Sequence, residues 1–219
     1  MAEFPTTREV PLDPRASALL FIDVQNFSVR RDGGEFKDVS DVEINEKYAY
    51  YFERLASVAI PNMQRLQAAF RAAGIEVLYT TIESLTKDGR DRSLDYKITG
   101  FHVPKGSWDG KVIDEIAPAE DEIVLPKTSS SVFVSTHIDY LLRNLGVRQL
   151  VLCGLVTDQC VESAIRDACD LGYLVTLVPD ACATYSQERH DNTLRAIGGY
   201  CRQVSTSALV AEIGGDRQL

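Results

Sequence analysis

The chain has 219 residues with a formal net charge of −9 at pH 7, 45% hydrophobic and 25% charged. That length suits one domain, residues 1–219, with a full-sized core. The acidic balance excludes a broad phosphate-binding surface, and no apolar run approaches the roughly 20 residues of a membrane span, so neither nucleic acid nor membrane is expected as a partner.

The first ten residues hold no apolar core of a secretory signal. The five cysteines are odd in number and scattered. Both point to reduced thiols in the cytoplasm.

Ala18 to Val24 reads as a buried strand that includes the acid Asp23. Residues 28–45 are charged and contain glycine, which predicts a loop. A helical pattern runs from about Glu46 to Ala73, with Pro61 suggesting a break and Gly74 a C-cap. Glu76–Ile82 is the second strand and Glu122–Leu125 the third, with Lys127 just beyond. Between them, residues 84–120 show weak periodicity and carry several glycines; a connection this long is usually functional or mobile. A helix follows at about Thr136–Leu145, closed by Gly146.

Gln149–Cys153 is a fourth strand that breaks at Gly154, and a helical pattern runs from about Asp158 to Leu171. Tyr173–Val178 is the next strand, followed by a helix at Gln187–Ile197. A short strand near Gln203-Val204 and a helix at Thr206–Ile213 complete the order. Strands alternating with helices imply βαβ units: an α/β, three-layer αβα sandwich around a mostly parallel sheet of about six strands.

Sites on such sheets lie beyond the carboxyl ends of the strands. Asp23, Lys127 and Cys160 all fall there. Taken singly, each has a plain reading: a helix cap, a solvated lysine, a buried thiol. Together they form a reactive set. Cys160, in the first turn of its helix, is placed for the helix dipole to lower its pKa.

Three segments carry a family resemblance: Asp23-Val24-Gln25-Asn26, Lys127 with Phe133 and Thr136, and Gly154-Leu155-Val156-Thr157-Asp158-Gln159-Cys160-Val161. They resemble the isochorismatase-like cysteine hydrolases over nearly the whole chain. The resemblance implies a Cys160–Asp23–Lys127 triad, a cis Leu155–Val156 peptide, and an oxyanion hole from the backbone N–H groups of Val156 and Cys160. It also implies a homo-oligomer, often a dimer or tetramer.

Residues 103–111, with the single tryptophan Trp108, are similar to a segment of the ureidoacrylate amidohydrolase branch. Trp108 in that segment, Phe27 just after the Asp23 motif, and Gln25 and Phe133 within the resembling motifs are expected to contact substrate, although Phe27 and Trp108 also suit core packing. Arg90, Arg92 and Lys97 read as solvated charges, one of which could bind a substrate carboxylate. Nicotinamidases of this family carry a histidine-containing metal site after the second strand. Here Thr80 to Leu85 has no histidine, and His102, His137 and His190 lie far apart. No metal and no cofactor are expected. No glycine-rich nucleotide-binding motif occurs.

The expected activity is metal-independent, cysteine-dependent cleavage of a C–N bond in a small amide, ureide or carbamoyl compound. The alternatives are vinyl-ether hydrolysis, as in isochorismatase itself, or a non-catalytic binding protein on the same fold.

Overall fold

A computed structural model describes residues 6–215. Its strands are β1 (Ser17–Ile22), β2 (Glu76–Ile82), β3 (Ile123–Lys127), β4 (Gln149–Leu155), β5 (Leu174–Ala183) and β6 (Arg202–Gln203). They form one sheet in the order β3-β2-β1-β4-β5-β6, with every pairing parallel.

Every residue of β1 and β4 is buried. These strands lie at the middle of a parallel sheet covered on both faces, which explains their continuous apolar runs. The helices Ile60–Ala73 and Thr206–Gly215 pack on each other and on β5, whereas Glu162–Asp170 packs on β5 alongside Gln187–Ile197. None of the described helices is long and apolar enough to cross a membrane.

The helical pattern of residues 46–73 resolves into a helix at Ala49–Arg54, a π-helical turn at Leu55–Ala59 and the helix Ile60–Ala73. Pro61 sits in the first turn of the last segment, where its missing N–H costs little, and the wider turn precedes it. Gly74 closes the helix at φ 69°, as expected of a C-terminal cap.

β5 continues five residues beyond the expected Val178. β4 and β5 are in register up to Leu152–Leu177 and resume at Gly154–Cys182, so Pro179 falls within an irregularity where it need not donate to the ladder.

Two expected loops are partly ordered into helix. Residues 28–45 include the start of a helix at Asp41–Lys47, capped by Ser40, and a single helical turn at Asn26–Val29 precedes them. Within residues 84–120 lie a helix at Leu94–Ile98 and short 3-10 turns at Trp108–Gly110 and Asp114–Ile116. The segment is tied to the sheet: Asn26 N–H donates to Lys111 O, and Ile113 N–H to Val24 O.

Candidate active site

From β1 the chain adds β2 and β3 on one side and β4, β5 and β6 on the other, so the strand order reverses between β1 and β4. Ligands of open parallel sheets bind at such a switch point. Asp23 follows β1 there, and Lys127 ends β3 two strands away. Neighbouring strands are about 4.8 Å apart, so only a long side chain reaches from β3 past β2 to Asp23.

Asp23 is the one described non-glycine residue with positive φ, at 54°. Asp and Asn tolerate this region better than other side chains. The conformation turns the chain while Asp23 N–H still bonds Thr80 O at 3.0 Å. The Thr80 hydroxyl donates to Asp23 Oδ1 at 3.0 Å.

Lys127 is fully buried, and its Nζ lies 2.8 Å from Asp23 Oδ2. The ammonium also approaches Ser129 O at 2.8 Å, the Tyr96 hydroxyl at 3.1 Å and Cys160 Sγ at 3.4 Å. Burial works against its charge. The facing Asp23, Cys160 and Tyr96 outweigh burial and raise its pKa, so it stays an ammonium.

Cys160 sits in a π-helical turn, Thr157–Val161, that precedes the helix Glu162–Asp170. The expectation of a lowered thiol pKa is not met. Burial pushes the thiol up to about 12; Lys127 pulls it down and Asp23 pushes it further up. Desolvation therefore outweighs the nearby ammonium, which favours a neutral resting thiol. The Leu155–Val156 peptide is cis.

A small cavity of about 20 Å³ lies over the thiol, lined by Asp23, Phe27, Glu35, Val156, Cys160 and Tyr185 among others. Of the residues expected to contact substrate, Phe27 alone borders it. Gln25 is wholly buried and has a positional role: its amide nitrogen donates to Ile82 O and Asp109 O, and its oxygen accepts from Ile82 N–H. Trp108 is 47% exposed and lies outside the cavity, contributing its carbonyl to Asn26. Phe133 packs against Tyr173, with ring centroids 6.1 Å apart.

The cationic candidates also point elsewhere. Arg90 pairs with exposed Asp88, and Arg92 donates to the carbonyls of Gly89 and Phe101. His102 borders a separate outer cavity, and His190 is buried against Thr157. Among the described residues, no cluster of three or more His, Cys, Asp or Glu side chains is arranged to hold a metal ion.

Sequence reasoning missed Glu35, Tyr96, Phe101 and Tyr185. Tyr96 and Phe101 come from the long segment and pack with Phe27, Ile82 and Val103 into a small apolar cluster at the mouth of the site.

A buried carboxylate, ammonium and thiol thus meet at the switch point of a doubly wound, parallel α/β sheet. The chain belongs to the isochorismatase family, whose domain matches residues 17–208. It is 28% identical to the ureidoacrylate amidohydrolase RutB of Rhizobium rhizogenes over 91% of this chain and 87% of that protein. A RutB of Agrobacterium fabrum is 27% identical, over 93% of this chain and 96% of its own length.

Among solved structures, a cysteine hydrolase from Pseudomonas syringae pv. phaseolicola shares the fold, with TM-score 0.80 at 23% identity, covering 98% of this chain and 99% of that one. N-carbamoylsarcosine amidase from Thermoplasma acidophilum aligns with TM-score 0.66 at 26% identity, over 87% and 96% of the two chains.

Proposed function

We propose that this protein is a cysteine-dependent, metal-independent amidohydrolase that cleaves a C–N bond in a small amide, ureide or carbamoyl compound. The observation that carries the reading is the convergence of Cys160 Sγ and Asp23 Oδ2 on one ammonium, at 3.4 and 2.8 Å. Relatives named for ureidoacrylate and N-carbamoylsarcosine support the C–N bond as the target.

In the proposed reaction, Cys160 Sγ attacks the substrate carbonyl carbon as its proton passes to Asp23. A neutral resting thiol suits this route, since the proton leaves only when the attack needs it. Lys127 stays charged and holds Asp23 in place. The N–H groups of Val156 and Cys160 take the developing oxyanion. Asp23 then returns the proton to the leaving nitrogen, and the C–N bond breaks to give a thioester. Water, deprotonated by Asp23, hydrolyses that thioester and restores the thiol.

An ammonia-release screen over ureides, carbamoyl amino acids and simple amides tests the reading. Turnover should persist in the presence of a chelator and disappear in Cys160→Ala. Full activity in that variant would remove the thiol from the mechanism.

A further inference from the structure

Two cavities share three wall residues near the active site. The inner one, bordered by Cys160, holds about 20 Å³, and the outer one, bordered by His102, about 510 Å³. Phe27, Glu35 and Phe101 border both and so form the neck between them. Phe27 and Phe101 meet edge to face, their centroids 5.7 Å apart. Glu35 is the polar group among the three.

Glu35 is held in place. Its Oε1 accepts a hydrogen bond from the Tyr185 hydroxyl. Tyr185 in turn packs against Tyr48 and Tyr51, at centroid distances of 5.7 and 5.1 Å, with Arg189 over its ring.

The charges on the inner side of the neck have one sign, and those on the outer side are mixed. On the inner side Glu35 faces Asp23, Cys160 and Tyr185, and no Lys, Arg or His borders that cavity. The ammonium of Lys127, 3.4 Å from Cys160 Sγ, is already engaged by Asp23, Tyr96 and the Ser129 carbonyl. On the outer side Asp38 and Asp109 accompany Glu35, against Lys37 and His102.

We propose that Glu35 is a specificity-determining residue: its carboxylate accepts a hydrogen bond from an N–H or ammonium group beyond the scissile carbonyl and repels substrates that carry a carboxylate there. The substrate class is then neutral or cationic amides and ureides. This rests on the amidohydrolase reading and narrows it. Ureidoacrylate, in the relatives' name, carries a carboxylate, and the lining of the inner cavity offers that group no cation. Recognition by a carboxylate gives a charge-assisted bond to the right substrate, and like charge at the neck rejects the wrong one. Burial lifts the Glu35 carboxyl to about 7, with Tyr185 opposing, so the filter is ionised at pH 8.5 and largely protonated at pH 6.

Two measurements test this. The first compares alkylation of Cys160 by iodoacetate and by iodoacetamide, read at the Cys160 peptide by mass spectrometry. At pH 8.5 the iodoacetate-to-iodoacetamide ratio should be at least tenfold below that of free cysteine. It should rise toward the free-cysteine value in Glu35→Gln, whose amide oxygen can still accept from Tyr185. In the unmodified protein it should also rise between pH 8.5 and pH 6, which needs no variant.

The second compares kcat/KM for 4-aminobutyramide, butyramide and succinamate, which match in size and differ in charge. Succinamate should be the poorest by tenfold or more, and Glu35→Gln should close most of that gap. Ratios unchanged by both Glu35→Gln and pH, or succinamate preferred by the unmodified protein, would overturn the proposal. A charge-selective alkylation with no ammonia from any of the three amides, nor from the ureides and carbamoyl amino acids of the screen, would support the filter and count against the amidohydrolase reading.

Discussion

Lys127 Nζ lies 2.8 Å from Asp23 Oδ2, with the two side chains 0% and 3% exposed. An ion pair so completely removed from water is costly to break from one side, because the surviving charge keeps its desolvation penalty without its partner. Lys127→Met should therefore destabilise the fold by about 3–5 kcal/mol, measured by urea denaturation. The double variant Asp23→Asn/Lys127→Met should recover most of that loss, because it leaves no buried charge. Asn also tolerates the positive φ at position 23. Both proteins should be inactive, which would separate the contribution to the fold from the contribution to the chemistry.

The thiol supplies a second expectation. Because burial pushes Cys160 up to about 12, its alkylation rate should climb about tenfold per pH unit from pH 7 to pH 10 without levelling. A free cysteine levels off near its ordinary value of about 8.5. Lys127 favours the thiolate, so Lys127→Met should slow alkylation at every pH in that range. A plateau below pH 8 would instead indicate a resting thiolate. Cys160→Ser should keep the fold and lose at least a thousandfold in kcat, as expected when a nucleophile is replaced within a set that acts as one unit.

The reactive residues were legible because each follows a strong local signal. Asp23 and Lys127 mark the ends of apolar strands, and Cys160 follows the break at Gly154. The cavity wall was not, because its residues come from stretches without period. Glu35 lies in a charged loop, and Tyr96 and Phe101 lie in the segment joining β2 to β3. Their place is fixed by long-range bonds such as Ser93 N–H to Thr128 O, which no local pattern encodes. Gln25 and Trp108 are the opposite case, and neither borders the cavity. Gln25 stands beside Asp23 and Trp108 is the single tryptophan, in the segment similar to the ureidoacrylate amidohydrolase branch, but Gln25 serves the backbone around the site and Trp108 lies outside the cavity.

Gly154 shows how closely the sheet is drawn together at the site. Its φ is 128°, and a Cβ there would stand 2.2 Å from Ile22 O and 2.7 Å from Ile22 N. Those atoms belong to the backbone of β1, one residue before Asp23, and cannot rotate away. Gly154→Ala should cost several kcal/mol, on the order of 3 or more, from strain and forced separation of β1 and β4. The residual folded protein should also lose activity, because the displaced strand carries Asp23. Thermal unfolding and the ammonia assay, run on the same sample, would test both effects.

His190 ties the turn that carries Cys160 to the body of the protein. Its Nε2 lies 3.0 Å from Arg54 Nη2 and its Nδ1 3.0 Å from Thr157 Oγ1. Arg54 can only donate, so Nε2 accepts, and the ring proton sits on Nδ1 and is donated to the threonine hydroxyl. Thr157 opens the nucleophile turn. Burial, reinforced by the Arg54 charge, lowers the His190 pKa from its ordinary 6.5 to about 4. A base whose folded pKa is depressed contributes stability that is fully present above about 6.5 and is lost as pH falls toward 4. Protonation would also set Nε2–H against the guanidinium and break the tie. Wild-type Tm should accordingly fall between pH 6.5 and pH 4. His190→Gln, which offers an oxygen to Arg54 but no titrating ring, should have a lower Tm at pH 7 and a shallower decline below it. Parallel Tm curves for the two proteins across that window would show that His190 is not the group whose protonation loosens the fold.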